Sequence, residues 1–339
     1  MGDGISSAAR HFVDLLKNEP IQIIGRSLSR TENGDARDGD GDSAKHGGKI
    51  SPEFTKSNAT SGFHREIVID ESMLRFIKMN GAGNDFVMVD NRAGDVRLNS
   101  KQIVRICDRH CGVGADGILL LEKSTNGADF RMRYYNRDGG EAEMCGNGAR
   151  CFARFANKVA GAGVKISFET PAGIIGARLH GESVTLEMSE PKDLRLSIEL
   201  VANGQKQLVH FINSGVPHVV VPVSNVDDVD VRRRGEAIRR HEMFAPKGAN
   251  VNFLEKRGPK KIVIRTYERG VEDETLACGT GVVASALVFA ATEKASGPIS
   301  VIVRSGSQLR VDFEKEGDRF RDVKLTGPAE FVFEGTIEI

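Results

Sequence analysis

Two cysteines sit in nearly the same surroundings: Met144-Cys145-Gly146-Asn147-Gly148-Ala149-Arg150-Cys151 and, downstream, Ala277-Cys278-Gly279-Thr280-Gly281-Val282. In each, Cys-Gly-X-Gly runs straight into an apolar pattern with the i, i+3, i+4, i+7 spacing of a buried helix face. The first pattern is Ala149, Phe152, Ala153, Ala156 and Val159; the second is Val282, Val283, Ala286, Leu287 and Ala290. Each cysteine therefore falls at a helix N-terminus, where unpaired backbone N–H groups and the positive end of the helix dipole favour a thiolate. The glycines let the first turn come close to a bound anion. Facing each other, two such starts would make one site. One thiolate would take a proton from a carbon acid while the opposite thiol returns one to the other face, as inversion of a stereocentre requires. The same N–H groups would stabilise charge developing on a substrate carboxylate. Protonation of such a pair is shared, so neither thiol titrates alone.

The chain leading into each cysteine is repeated as well. Tyr134-Tyr135-Asn136-Arg137-Asp138-Gly139-Gly140-Glu141 precedes the first, and Thr266-Tyr267-Glu268-Arg269-Gly270-Val271-Glu272-Asp273 the second. Tyrosine, a polar residue, an arginine and an acidic glycine turn recur in order, which reads as an internal duplication. Strand patterns are expected over 74–79 and 86–90, with a loop across 80–85 between them, and over 117–122 and 130–135. A helix is expected over 101–110. Short strands follow the first cysteine helix at 165–170, 174–180 and 183–188, and Pro191 marks a boundary. The second half offers strands at 207–213, 219–223, 252–255, 261–267, 301–303, 308–313 and 323–325. Arg232-Arg233-Arg234 and Arg239-Arg240 read as the solvated face of a helix.

Many short strands with one central helix per half predict an α+β fold of two pseudo-symmetric lobes. Each lobe would be a curved sheet or small barrel around its helix, with the site in the cleft between them. A doubly wound parallel sheet is disfavoured because strand–helix alternation is too sparse. The expected division is an N-terminal lobe over 75–188 that also takes a C-terminal strand at 327–339, and a C-terminal lobe over 189–326.

The 339 residues are 40% hydrophobic, balanced in charge at 47 basic against 47 acidic residues, with pI about 7.1. This leaves no electrostatic footprint for nucleic acid, and no apolar run approaches a membrane span of about 20 residues. Five cysteines, an odd number in a long chain, point to reduced thiols and a cytoplasmic setting. No Gly-rich loop carries the ending of a nucleotide-binding P-loop. Residues 1–74 read as a disordered or expression-derived extension. His11–Leu16 could form a turn or two of helix, but 26–62 is rich in Gly, Asp, Ser and Lys with little to bury. Ser51-Pro52-Glu53-Phe54 resembles a cloning junction, and Asp35, Asp38, Asp40 and Asp42 argue against a transit peptide.

From residue 75 onward the sequence resembles the diaminopimelate epimerases, cofactor-independent two-cysteine amino-acid racemases. The resemblance rests on Asn80-Gly81-Ala82-Gly83-Asn84-Asp85-Phe86, Arg109-His110-Cys111-Gly112-Val113-Gly114-Ala115-Asp116-Gly117, the Cys145 element, Pro217-His218, Asn250-Val251-Asn252-Phe253 and Tyr267-Glu268-Arg269-Gly270. It implies interconversion of LL- and meso-diaminopimelate for lysine or cell-wall synthesis, without pyridoxal phosphate or metal, by a homodimer. Carried over by position, Cys145 and Cys278 are the acid/base pair. Backbone N–H groups of Gly146, Asn147, Gly279 and Thr280 hold the carboxylate of the reacting centre. Asn84, Asn136, Asn250, Glu268 and Arg269 hold the substrate, the last four at its distal end. His218 is a histidine near the thiols that tunes them. Gly117 and Val216 depart from the family pattern, standing where some members have Gln and Asn, and each removes a polar contact near the substrate.

Two rival readings are weighed. A racemase of the same architecture for another amino acid would leave Asn136, Asn250, Glu268 and Arg269 without a distal group to bind. A thiol redox protein would carry Cys-X-X-Cys or a resolving cysteine, and neither is present. Cys107-Asp108-Arg109-His110-Cys111 has metal-ligand residue types but no second Cys/His cluster, so it reads as helix-end packing. Cys151, six residues after Cys145, reads as core. On their own, Glu268 and Arg269 would also read as an ordinary surface pair.

Overall fold

Strand β1 (Met73–Gly81) returns through Ala82 and Gly83 into β2 (Asn84–Asp90), with Gly81 opposite Asn84. Both turn residues have positive φ, 63° and 109°, so the hairpin is tight and the ladder continues into the polar residues expected to form a loop. Helix α1 (Ser100–Cys107) starts on a reciprocal capping box between Asn99 and Gln102. It stops short of the expected His110 because Asp108 leaves the helix and its carboxylate accepts from the His110 and Cys111 N–H groups. Then follow β3 (Gly117–Lys123), β4 (Phe130–Asn136), the short β5 (Glu141–Ala142) and helix α2 (Gly146–Ala160). Strands β6 (Lys165–Thr170), β7 (Gly173–His180), β8 (Ser183–Glu187) and β9 (Lys192–Ala202) complete the first series. The structure, a computed structural model, describes residues 73–317 and 319–339. The readings of 1–72 fall outside the described residues, and Met73 and Leu74, expected in the extension, open β1 instead.

The order then repeats. β10 (Gln205–Asn213), β11 (Pro217–Pro222), α3 (Val231–Arg239), β12 (Asn250–Gly258), β13 (Lys261–Glu268), β14 (Asp273–Thr275) and α4 (Gly279–Thr292) lead to β15 (Ile299–Ile302), β16 (Gln308–Glu316), β17 (Arg319–Pro328) and β18 (Glu330–Glu338). Pairing repeats with it. β1–β2 and β10–β11 are antiparallel, β2–β3 and β11–β12 parallel, β3–β4 and β12–β13 antiparallel, and β4–β6 and β13–β15 parallel. Each half closes with two more antiparallel pairs, β6–β7–β8 and β15–β16–β17. The ninth strand of each series crosses over: β9 pairs with β10, β18 pairs with β1, and β8 pairs with β17 to join the halves. Sequence patterning missed β9 because its only buried side chains are Leu200 and Ala202. A strand lying on the outside of a sheet keeps little apolar alternation.

Each half wraps its sheet around one cysteine helix. Phe152, Ala153 and Ala156 of α2 pack with Phe86, Leu119, Phe168 and Leu186, and Val282, Ala286 and Leu287 of α4 pack with Val220, Ile264, Val301 and Leu325. Both helices are buried further round than one face. Cys151 and Phe155 are buried on α2, and every residue from Gly281 to Ala290 is buried on α4. An all-round apolar helix is what a closed sheet can enclose. Each buried Val, Leu or Phe among them contributes about 1.5–3 kcal/mol by leaving water. Smaller cores lie under α1 and α3 on the outer faces. Helix α3 is only partly the solvated arginine face expected, since Arg234 lies over the Phe253 ring and Arg239 pairs with Glu272 at 2.8 Å. Among the described residues no helix is long and apolar enough to cross a membrane.

Contact between α3 and β13 depends on Gly235, where a Cβ would lie 2.4 Å from the buried Tyr267 Cβ and 2.6 Å from its ring. Gly235→Ala gains about 1 kcal/mol of helix propensity but forces an overlap that costs about 1–3 kcal/mol. Urea denaturation is expected to show a lowered midpoint; an unchanged or raised one would mean that the helix can slide off Tyr267 freely.

Candidate active site

The two cysteine helices meet head to head. A Cβ on Gly279 would lie 3.5 Å from Gly146 Cα, and one on Gly146 would lie 3.7 Å from Gly279 Cα. Cys145 and Cys278 are the N-cap residues of α2 and α4, both with extended backbone. Each follows a short strand anchored on its neighbour, with Tyr134 opposite Ala142 in the first half and Tyr267 opposite Glu274 in the second. Strand, turn and helix thus deliver both thiols to one seam, and the first-turn N–H groups of both helices, which have no intrahelical partner, open onto it.

The thiols differ in what holds them. Cys145 is half-buried, and its sulfur accepts from the Gly148 N–H at 3.5 Å, capping its own helix. Cys278 is buried, and its sulfur lies 3.5 Å from the Thr280 hydroxyl. Burial pushes both thiols above the ordinary thiol range, and the Glu268 carboxylate pushes both the same way. The Gly148 N–H holds Cys145 back, and Thr280 does so for Cys278. The N–H groups and the helix dipole do not outweigh desolvation at either sulfur, so helix position alone does not give the thiolate expected from it.

Around Cys145 a polar chain ties the halves together. Asp116 accepts from the Asn84 amide at 2.9 Å, and Asn84 Oδ1 accepts from Asn147 Nδ2 at 2.6 Å. Asn147 Nδ2 also donates across the seam to the Ala277 carbonyl at 3.1 Å. Asn147 Oδ1 accepts from Arg150 at 2.8 Å. Arg150 is wholly buried, and its other acceptors are the carbonyls of Gly146, Gly81 and Pro328. Among the described residues it forms no ion pair, and burial pulls its guanidinium below the usual range. A buried cation with only neutral partners is costly, and an anion held at the neighbouring helix starts would offset it.

Around Cys278 gather the other predicted residues. His218 is buried at the start of β11, with Nε2 2.9 Å from Thr280 Oγ1. Asn250 Oδ1 accepts from the Arg269 N–H at 2.8 Å, and Arg269 reaches the Gly248 carbonyl at 3.4 Å. Glu268 is half-buried and burial raises its carboxyl. No ion pair joins it to Arg269, so the surface-pair reading does not hold. Asn136 ends β4 opposite Gly117, and no hydrogen bond links its side chain to the other site residues. Gly117 has a packing reason: a Cβ there would lie 2.4 Å from the Tyr135 carbonyl and 2.6 Å from the Tyr134 ring.

Sequence reasoning gave no role to Arg150, Asp116 or Asn252. A signal existed for Arg150, a cation lying between Ala149 and Phe152 on a helix otherwise read as core. Asp116 and Asn252 lie inside motifs that carry the family resemblance, but their partners are distant in sequence, so nothing local assigned them a role. Cys151 is buried in the core and Cys107 is buried at the end of α1, while Cys111 is exposed. Among the described residues no three His, Cys, Asp or Glu side chains cluster as a metal site.

The arrangement has counterparts. In solved structures, a phenazine biosynthesis protein of the PhzF family from Bacillus anthracis aligns with TM-score 0.61 and 19% identity, over 79% of this chain and 99% of its own. A hydroxyproline epimerase from Agrobacterium vitis aligns with TM-score 0.60 and 16% identity, over 78% and 91%. These share the two-lobed fold. Sequence relatives are much nearer: the diaminopimelate epimerase of Chlorobaculum tepidum is 44% identical over 265 residues, 77% of this chain and all of its own length. That of Aquifex aeolicus is 43% identical over 281 residues, 78% of this chain and 98% of its own. The diaminopimelate epimerase family model matches residues 76–193 and 210–332. Both cysteine elements and the residues gathered around them lie within the matched stretches, and the chain belongs to the diaminopimelate epimerase family.

Proposed function

We propose that the protein interconverts LL- and meso-diaminopimelate by two-base proton transfer between Cys145 and Cys278. The observation that carries this reading is the abutment of the two helix starts at Gly146 and Gly279, with a cysteine capping each. The substrate carboxylate sits against the N–H groups of Gly146, Asn147, Gly279 and Thr280, supplying the negative charge that buried Arg150 lacks. Its α-ammonium pairs with Glu268. The resemblance gave Glu268 to the distal end; its place at the reacting centre is part of the present proposal, supported by the direction in which its carboxylate shifts both thiols. Once neutralised, it no longer raises them, so binding itself favours the thiolate.

The thiolate removes the α-proton, and the electron pair left on carbon spreads into the carboxylate, stabilised by the helix N–H groups. The facing thiol gives its proton to the opposite side. The two sulfurs exchange states, and solvent exchange restores the starting pair. Asn136, Asn250 and Arg269 take the distal amino-acid end, where guanidinium and amides suit a carboxylate.

A homodimer is supported by β18. Among the described residues it pairs with β1 alone, and it exposes Val332 and Phe333. A one-sided strand with an apolar surface is a site for a second copy. A cytoplasmic setting is supported by five free cysteines.

Reduced enzyme with LL-diaminopimelate in heavy water is expected to incorporate deuterium at one α-carbon as meso product forms. Exchange on a different amino acid instead would assign another substrate to the same chemistry, and silence on all of them would remove the catalytic role from the thiols. Cys145→Ala or Cys278→Ala should each lower epimerisation by at least about 10³-fold, given the size of an acid–base contribution; a single variant near wild-type rate would refute the two-base mechanism. Burial, with Arg269 adding to it, lowers His218 to about 3. It is therefore neutral throughout pH 5–8, and kcat/KM should show no ionisation near 6.5, its acid limb belonging to the thiol pair. A limb at 6.5 that disappears in His218→Gln would contradict this.

A further inference from the structure

Asn252 is fully buried on β12, and every polar atom of its amide is engaged. Nδ2 donates to the Val219 carbonyl at 3.2 Å, a partner that can only accept, which fixes which amide atom is nitrogen. Oδ1 accepts from the Thr266 hydroxyl at 3.0 Å. The second Nδ2 hydrogen is left for His218 Nδ1, 3.1 Å away. Gly281, in the first turn of α4, is the space that admits this amide: a Cβ there would lie 2.4 Å from Asn252 Oδ1.

A neutral imidazole has one N–H. With Nδ1 accepting, the proton is on Nε2, which faces the Thr280 hydroxyl at 2.9 Å. Nε2–H donates to Thr280 Oγ1, and the Thr280 proton is left to point at Cys278 Sγ, 3.5 Å away. Asn250 Nδ2 also approaches Nε2, but at 3.5 Å it is the weaker claim. At Cys145 the contacts to sulfur are backbone N–H groups of its own helix, with no hydroxyl among them.

We infer that Asn252 is a positioning residue for Cys278: it locks His218 as the Nε2–H tautomer, so that Thr280 presents a hydroxyl proton to the Cys278 sulfur and stabilises its thiolate. The inference rests on Cys278 being one of the two acid/base thiols, and it gives the seam a built-in asymmetry. Cys145 is hydrogen-bonded by its helix backbone alone, whereas Cys278 has, beside the Gly281 N–H, a side-chain relay that begins two strands away, at Thr266.

The test reads the tautomer directly. Nitrogen-15 NMR of the full chain, with His218 assigned by comparison with His218→Gln, is expected to show a neutral ring protonated at Nε2. A ring protonated at Nδ1, or an imidazolium, at pH 7.5 overturns the inference. In Asn252→Leu the constraint is lost. Alkylation by iodoacetamide, resolved by peptide mapping, should slow several-fold at Cys278 and stay within about twofold at Cys145, a split that general loosening would not produce. Equal change at both thiols, or none, counts against it, and if that variant does not fold the wild-type tautomer decides alone. None of these readouts depends on turnover, so their failure is distinct from failure of the epimerase reading, which the heavy-water exchange decides.

Discussion

Everything in this molecule is arranged so that two helix N-termini can touch. Ends of helices are where backbone donors are unpaired and where the dipole is positive, so bringing two together concentrates unfavourable charge and unsatisfied polar groups at one seam. A Gly at the first position of each helix allows the approach. The Asn147 amide then spans the gap to Ala277, holding the halves in contact through a bond that cannot form unless both helices are in place. The reward is chemical. Under the proposed mechanism a carbon acid in that seam has a sulfur on either face and N–H donors at its carboxylate, all held by the scaffold beforehand.

The seam is charged in a way that only a ligand completes. Arg150 is buried with neutral partners, both thiols are pushed towards neutrality by burial, and Glu268 adds to that push. Each of these is unfavourable alone. In the proposed reaction a zwitterionic amino acid would offset all three, its carboxylate at Arg150 and the helix ends, its ammonium at Glu268. Under that proposal substrate binding and thiolate formation are one event.

Duplication explains the architecture but not the chemistry of the site. Strand order and pairing repeat closely, down to the exchange of β9 and β18 between halves. The surroundings of the two sulfurs do not repeat. Asn147 in the first Cys-Gly-X-Gly is matched by Thr280 in the second, and the change replaces a structural tie with a hydroxyl that reaches sulfur and histidine.

Much of this was legible in the chain itself. Cys-Gly-X-Gly before an apolar helical period is local information, so Cys145 and Cys278, the two helices and the duplication could all be read from spacing, and the strands that deliver them from β-patterning. What depends on partners far apart in sequence could not. Arg150 joins Gly81 and Pro328, Asn252 joins His218 and Thr266, and Asp116 joins Asn84, and each contact exists only once the sheets close. Edge strand β9 escaped because an outside strand buries too little to show a period, and the hairpin at Ala82–Gly83 because polar residues in a ladder look like a loop. Sequence by itself determined which thiols stand at helix starts, since capping and amphipathic period act over a few residues. Tertiary structure alone decided that those starts meet, that burial outweighs the helix dipole at both sulfurs, and that the Glu268 charge acts on both, because desolvation and charge depend on distances through space rather than along the chain.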